Sequence, residues 1–449
     1  MNLVPKRLLG GVAVLALVAG ACSSTAATPT APPATEAPSL GQPTVAPSVA
    51  AKPVTIEWWH ISTGEPGKSI FQGIADTYMA AHPNVTIHIT VLENEAFKTK
   101  LTTTMQSGTA PDLFQSWGGG IMAAQADAGM LKDITNDIAS WKSTVNPGAL
   151  SIYAYNGKQY GVPWDMGMIG FWYNKALFTK AGITAPPATW DEYLADITKL
   201  KTLSGIAPLA IAGKDKWPSM HLWTYLVLRI GGGDTMAQMA KSGNWNTDAC
   251  TKAGDEVLKL NALNPYQPGY KSATYDNEAA AVGNGKAAME LMGQWAPGVQ
   301  ANDSTSKKGI GTDLGWFPFP TVAGGKGAAT DGVGGGNGIA VGKNASPEAL
   351  DFLKFFNSVY NAQKIDNPDD KGNSIGMSPI VGVDPTVLSA PLQLVQAGRD
   401  KATFMQLYLD QFTSPAIGSA INDATIALFL GASTPAKVCQ AITTASTKK

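Results

Sequence analysis

The sequence predicts an α/β fold built on a parallel sheet, with the chain crossing into a second lobe and returning. Three observations carry this. Between Val54 and Ser116 the pattern runs strand, helix, strand, helix, strand, and parallel pairing needs such helical crossovers. Residues 160–174 are long, extended and punctuated by breakers, while residues 324–338 are very rich in glycine, so they read as the way out and the way back. The 449 residues are 44% hydrophobic, enough for two domains with cores of their own.

Taken in order, Val54-Thr55-Ile56-Glu57-Trp58-Trp59-His60 alternates and is β-rich, a first strand. Gly64-Glu65-Pro66-Gly67 turns into a helix whose apolar face is Ile70, Phe71, Ile74 and Tyr78, stopped by His82-Pro83-Asn84. Val85, Ile87, Ile89 and Val91 alternate with Thr86, His88 and Thr90 as a second strand. Phe97, Leu101 and Met105 line the next helix, which ends at Ser107-Gly108. Residues 112–116 form a third strand that runs into Trp117-Gly118-Gly119-Gly120. Thr189-Trp190-Asp191-Glu192 is a capping box, with Thr at the N-cap and Glu at N3 satisfying orphan backbone donors. Residues 207–212 make a short strand, and Trp217-Pro218 opens a helix around Leu222, Leu226 and Ile230.

Asn284-Gly285 enters a short apolar strand that breaks at Gly293. Pro297-Gly298 follow at once, so Trp295 is read as sitting on a loop at a strand's C-terminal end, where open α/β sheets bind ligands. Residues 339–341 re-enter the first sheet. Ser346-Pro347-Glu348 starts a helix with Ala349, Phe352, Leu353 and Phe356 buried. The organisation that results is a signal peptide over 1–21, a tether over 22–52, lobe 1 over 53–163 plus 322–376, and lobe 2 over 164–321 plus 377–449.

The first of these segments sets the compartment. Lys6 and Arg7 make a positive n-region, and residues 8–18 an apolar run too short to span a bilayer. Ala19-Gly20-Ala21-Cys22 resembles a bacterial lipobox, with Ala19 where that pattern favours Leu; plain secretion with an Ala-x-Ala-like cut is the alternative. Residues 23–52 are nearly all Ser, Thr, Ala and Pro, which cannot bury enough apolar surface to order themselves. They read as a tether from a lipidated Cys22, placing the chain on the outer face of the cell membrane with no span. Cys250 and Cys439 then face an oxidising compartment, where a pair usually bridges; free buried thiols are the other reading.

Lys plus Arg total 33 and Asp plus Glu 34, so no net field favours nucleic acid. Charged residues are only 15% while Trp numbers 12, which suits an uncharged, amphipathic ligand. The four histidines show no i,i+4 pair and no HExxH, so neither a metal site nor a metal cofactor is expected. Gly285-Lys286-Ala287 lacks the rest of a P-loop. Gly118-x-Gly120-x-x-Ala123 follows a strand as a dinucleotide fingerprint should, but small residues at a helix N-terminus serve a ligand hydroxyl equally well. A glycoside hydrolase needs two acids across the scissile bond, with Asp165, Glu65 and Glu290 as conceivable members. Glu290 lies mid-strand, and Asp165 and Glu65 equally suit bidentate acceptance from hydroxyls, so no enzyme is expected.

TAPDLFQSWGGG, YGVPWDMGMIGFWYNKALFTKAGI, NGKAAMELMGQWAPG and GGGNGIAVGKNASPEALDFLKFF, with the lipobox and tether, together resemble the extracellular solute-binding lipoproteins of carbohydrate ABC importers. Within them the chain looks like the xylobiose- and oligosaccharide-binding proteins. The resemblance implies a two-lobed periplasmic-binding-protein fold of type II, the maltose-binding type, with each lobe a mainly parallel sheet flanked by helices. It also implies a monomer that binds an oligosaccharide reversibly between lobes joined by crossover strands, and that docks on ABC permease subunits. No cofactor is implied.

Sugars present apolar C–H faces and polar edges, so their sites pair aromatic plates with planar hydrogen-bonding groups. Trp295 matches the family's stacking position, with core packing as the alternative. Gln115, Ser116, Trp117 and Gly118 end a strand at the expected cleft edge, and Trp117 equally suits packing beneath a helix. Asp165 on the crossover would accept hydroxyl protons or a hinge hydrogen bond. His60, Ser62, Gly64 and Glu65 follow the first strand; Phe97 and Lys98 open a helix from the same edge. Trp217 stands at a helix entrance, ahead of His221, which more often is a satisfied core residue, and Trp223. Gly334, Gly335, Gly336 and Asn337 would let backbone approach a ligand, though a hinge also wants glycine. Tyr408 and Gln411 share a helix face that could close the pocket or pack in the core.

Overall fold

A computed structural model describes residues 52–366, 376–384, 386 and 388–447, with side chains left out for 360–366. The signal peptide, Cys22 and the tether therefore lie outside the described residues, as do the residues just before the 376/377 lobe boundary. The strands in chain order are β1 (Val54–His60), β2 (Val85–Val91), β3 (Leu113–Ser116), β4 (Ala154–Tyr155), β5 (Lys158–Gln159), β6 (Gly161–Pro163), β7 (Gly167–Met168), β8 (Gly170–Asn174), β9 (Met289–Met292), β10 (Leu314–Phe317), β11 (Gly332–Gly335), β12 (Gly338–Val341) and β13 (Met405–Leu407).

The first sheet has the order β2-β1-β3-β12-β6. β1 pairs in parallel with β2 from Val54 against Val85 to His60 against Val91, and with β3 at Trp58 against Leu113. The alternation read in the sequence produces this geometry: Ile56 and Trp58 point at the helices Gly67–Ala81 and Pro347–Asp366, and pack with Phe71, Ile74, Tyr78, Phe352 and Phe356. Truncating one such buried ring to Ala removes about 3–5 kcal/mol. β6 leaves along the sheet edge, and β12 returns antiparallel between β3 and β6.

Beyond β6 the chain enters a second system. β8 runs antiparallel between β9 and β10, while β11 lies antiparallel to β7 and parallel to β13. The segment read as a strand over 207–212 makes single parallel bridges, Ala207 to Ala287 and Leu209 to Tyr266. Both sheet systems are thus mixed rather than mainly parallel. The physical reason is that the outgoing strands β6 and β7 and the returning strands β12 and β11 run between the two systems in opposite senses, so where they pair they pair antiparallel. The second core holds Phe171, Trp190, Tyr193, Trp223, Tyr225 and Leu291. Its one deeply buried cation, Arg229, donates from Nε to Pro320 O (3.1 Å), from Nη1 to Asp331 O (2.8 Å) and from Nη2 to Phe319 O (2.9 Å), tying the return connection to the helix Trp217–Gly231. The capping box forms as read, Thr189 Oγ1 accepting from Glu192 N–H and Glu192 Oε2 from Thr189 N–H. Cys250 and Cys439 are joined by a disulfide that fastens the last helix, Pro435–Thr447, to Asp248–Ala262.

Candidate functional site

Strand and helix ends from both sheet systems converge on one cavity of about 230 Å3. β1 delivers residues 61–67, the helix Asn94–Gln106 delivers Glu93, Asn94 and Lys98, and β3 delivers Trp117. From the second lobe come Asp215, Trp217 and His221, the helix start at Tyr275 and Asp276, and the segment 295–303. Trp164 and Asn337 enter from the two connections, and Tyr408, Asp410 and Gln411 complete the wall. A wider groove of about 830 Å3 adjoins it and shares Lys98, Trp117, Asp215, Asp410 and Gln411.

Of the residues singled out from the sequence, Trp295, Trp117, Trp217, Glu65, Lys98, Asn337, Tyr408 and Gln411 line the cavity, with Ser62, Gly64 and His221. Gln115, Ser116, Gly118 and Phe97 border the adjoining groove instead. Trp295 lies on the short turn that follows β9, as read. It caps the helix Ala296–Asp303, with Pro297 in that helix's first turn, where a missing N–H costs nothing. Its ring meets Tyr408 edge-on at 5.8 Å.

His60, Asp165, Gly335 and Gly336 line neither space. The His60 ring lies edge-on to Trp58 and Phe71, and its Nδ1 accepts the Ser62 N–H at 3.2 Å. Burial pushes its pKa down to about 4, so the ring is neutral. Strand parity sends His60 to the same face as Trp58. Trp223 is wholly buried in the second core. A side chain on Gly335 would meet the Tyr408 ring at 2.7 Å, and one on Gly336 the Asp165 carbonyl at 2.1 Å. These glycines admit close approach within the chain itself.

Asp165 is the centre of a buried polar node. Its Oδ1 accepts from Asn337 N–H (2.7 Å), Asn337 Nδ2 (3.1 Å) and Gln294 Nε2 (3.1 Å), while Oδ2 also accepts from Asn337 Nδ2 (3.1 Å). Gln115 Nε2 donates to Asn337 Oδ1 at 2.8 Å. The node links β3, both connections and the residue preceding Trp295. Of the acids a hydrolase reading would use, only Glu65 lines the cavity. Glu290 is fully buried, accepts from Gln300 Nε2 at 2.6 Å, and burial pushes its carboxyl up to about 8.

Sequence reasoning missed Trp164, Glu93, Asp215, Tyr275, Asp276, Asn302, Asp303 and Asp410. Asp215 carries a local signal, since it lies just ahead of the Trp217 helix entrance and accepts the distant Tyr275 N–H at 2.7 Å. Burial raises the carboxyls of Asp215, Asp276 and Asp303, and neighbouring acids raise Asp215 and Asp276 further. Among the described residues no cluster of His, Cys, Asp and Glu could hold a metal ion.

A family profile described as bacterial extracellular solute-binding protein matches residues 62–361. An uncharacterized ABC transporter extracellular-binding protein of Pyrococcus horikoshii is 28% identical over 72% of this chain and 71% of its own length. A multiple sugar-binding protein of Streptococcus mutans is 26% identical over 63% of this chain and 66% of its own. Among solved structures, one from work on xylan utilization by the thermophilic bacterium Caldanaerobius polysaccharolyticus superposes with a TM-score of 0.78 at 27% identity, covering 87% of this chain and 99% of that one.

Proposed function

The chain belongs to the family of bacterial extracellular solute-binding proteins, with their two-lobed type II fold, and from that premise we propose that it captures an oligosaccharide for an ABC importer. The ligand is a xylobiose-like di- or short oligosaccharide, held reversibly between the lobes and handed to the permease without chemical change. Lobe 1 comprises 53–163 plus 322–376 and lobe 2 comprises 164–321 plus 377–449. Closure is a hinge motion of one lobe on the other. The protein works as a monomer outside the cytoplasm, anchored by lipid on Cys22 alone; among the described residues no helix is long and apolar enough to cross a membrane.

One observation supports this reading above the rest: indole rings from both lobes, Trp117 from the first sheet and Trp217 and Trp295 from the second lobe, line a single cavity with polar edges. Aromatic plates facing a rim of amides and carboxylates suit the apolar faces and hydroxyl edges of sugar rings. Three of the site's polar residues serve the frame instead: Asp165, Gln115 and His60 hold the walls.

Calorimetric titration of the mature protein with di- to tetrasaccharides, xylobiose and xylotriose included, tests the reading. Wild type binds at least one of them; Trp295→Ala loses roughly 30-fold or more, as expected for a central Trp anchor worth 2 kcal/mol or more. If no saccharide binds, or if products accumulate during incubation, the reading fails.

A further inference from the structure

The cavity wall carries a charge imbalance that neutral hydroxyls do not call for. Glu65, Glu93, Asp215, Asp276, Asp303 and Asp410 line it, and Lys98 is the one cation among the lining residues. None of those six carboxylates takes part in an ion pair among the described residues. Lys98 is already committed, its Nζ 2.8 Å from Glu95 Oε1. Nearby lysines are held elsewhere: Lys216 Nζ lies 2.6 Å from Asp423 Oδ1, and Lys307 Nζ donates to the Asn302 carbonyl at 2.5 Å. Lys214 also lies near Asp215, and Lys307 near Asp303, as weak local compensation.

A second observation is independent of charge. Trp217 and His221 are more than nine-tenths buried and line the same cavity, yet Trp217 Nε1 and His221 Nδ1 have no hydrogen-bond partner among the described residues. Buried polar atoms are nearly always satisfied, so an unpaired donor and an unpaired ring nitrogen in a cavity wall leave hydrogen-bonding capacity for a bound molecule. The same corner already accommodates an ammonium group: Lys98 Nζ sits 5.5 Å from the Trp117 ring centre and 5.9 Å from that of Trp217, within cation–π range. Trp217 and Tyr275 stand 5.0 Å apart, beside Asp215 and Asp276.

Resting on the oligosaccharide reading above, we propose that the natural ligand is an amino-substituted saccharide whose ammonium seats against Asp215, Asp276 and Asp303, over the faces of Trp217 and Tyr275. Carboxylates accept charge-assisted hydrogen bonds from a hydroxyl and an ammonium alike, and the ammonium adds the Coulomb attraction of a full positive charge for three neighbouring acids. The aromatic faces add attraction for the same group and none for a hydroxyl in its place. The neighbouring rings of the ligand then stack on Trp117 and Trp295.

The test is calorimetric titration of the mature protein with matched pairs that differ only in the amine: glucosamine against glucose, galactosamine against galactose, and the β-1,4-linked glucosamine dimer against cellobiose, with xylobiose as the neutral reference. In at least one pair the amine binds tenfold or more tightly than its hydroxyl counterpart, and the preference shrinks between 50 and 300 mM salt. Asp276→Asn with Asp303→Asn lowers affinity for that amine at least tenfold more than affinity for its neutral counterpart, with an unchanged unfolding midpoint. If a neutral saccharide binds as tightly as any amine, or if the double variant weakens both members equally, this inference is overturned while the oligosaccharide reading stands. If no sugar binds, both fall.

Discussion

Replacing Asp165 with Ala removes the acceptor from the centre of the buried node. Asn337 N–H, Asn337 Nδ2 and Gln294 Nε2 then lose the carboxylate that the first two meet at 2.7 and 3.1 Å and the third at 3.1 Å. Asp165 and Gln294 are wholly buried and Asn337 nearly so, so water cannot simply replace the lost oxygens. Each stranded donor costs about 1–3 kcal/mol, which puts the variant about 3–9 kcal/mol below wild type. Asp165→Asn keeps the shape and one oxygen but loses the charge and puts an amide donor opposite Asn337 Nδ2, a loss of about 1.5–3 kcal/mol. At roughly 2 °C per kcal/mol for a large domain, the Ala variant melts about 6–18 °C lower and the Asn variant about 3–6 °C lower. Urea denaturation followed by Trp emission gives the same ordering, and saccharide affinity falls in both variants because Gln294 directly precedes Trp295. The reasoning is refuted if Asp165→Ala unfolds at the wild-type midpoint, or if the Asn variant is the less stable of the two.

Three further outcomes follow from other parts of the chain. Reducing the Cys250–Cys439 disulfide releases a loop of sequence separation 189, and the chain-entropy account gives about 5 kcal/mol as the upper end of the loss; an unchanged denaturation midpoint in reductant would refute it. Glu290, held near 8 when folded and near 4.3 when unfolded, keeps its proton in the native state over that interval, so the native state binds more protons and stability falls by up to about 1.4 kcal/mol per pH unit as pH rises from about 4.5 to 8. Glu290→Gln, which retains the acceptor for Gln300 Nε2, flattens that slope; parallel wild-type and variant profiles would contradict the assignment. Gly336→Ala places a methyl 2.1 Å from the Asp165 carbonyl, and the variant should either fail to accumulate as folded protein or lose saccharide binding, measured by exported yield and titration.

Much of the fold was legible because its elements are half-buried. β1 and β2 alternate one side to the core, and the helix Gly67–Ala81 repeats Phe71, Ile74 and Tyr78 on one face, so period alone located them. Local chemistry found the Thr189 capping box. It placed Trp295 on the turn after β9 but missed the helix Ala296–Asp303 that follows, because Pro297 and Gly298 read as breakers whereas proline is equally at home in a first helical turn. The pairings of the return connection were not legible, since β11 and β12 pair with strands over a hundred residues earlier and nothing local records their direction.

The site was legible by residue type and illegible by partner. Asp165, Gln115 and Asn337 were singled out as planar polar groups for a ligand, yet Asp165 meets Asn337 across 172 positions and Gln294 across 129. A carboxylate on a connection can serve a ligand or another connection, and in this fold two connections and a strand end lie within reach of each other, so the chain itself fills the acceptor. Parity could have settled His60 in advance: two residues after the buried Trp58 it must share that face, and its position at a strand end does not override the pleat. Among the acids that line the cavity, Asp215 lies just before one helix, Asp276 in the first turn of a second and Asp303 at the end of a third, with no common motif. Their net field is a property of the assembled cavity, and an overall charge near zero in the sequence conceals it. A ligand inferred from composition alone is therefore uncharged, whereas one inferred from the wall it must touch carries a positive charge.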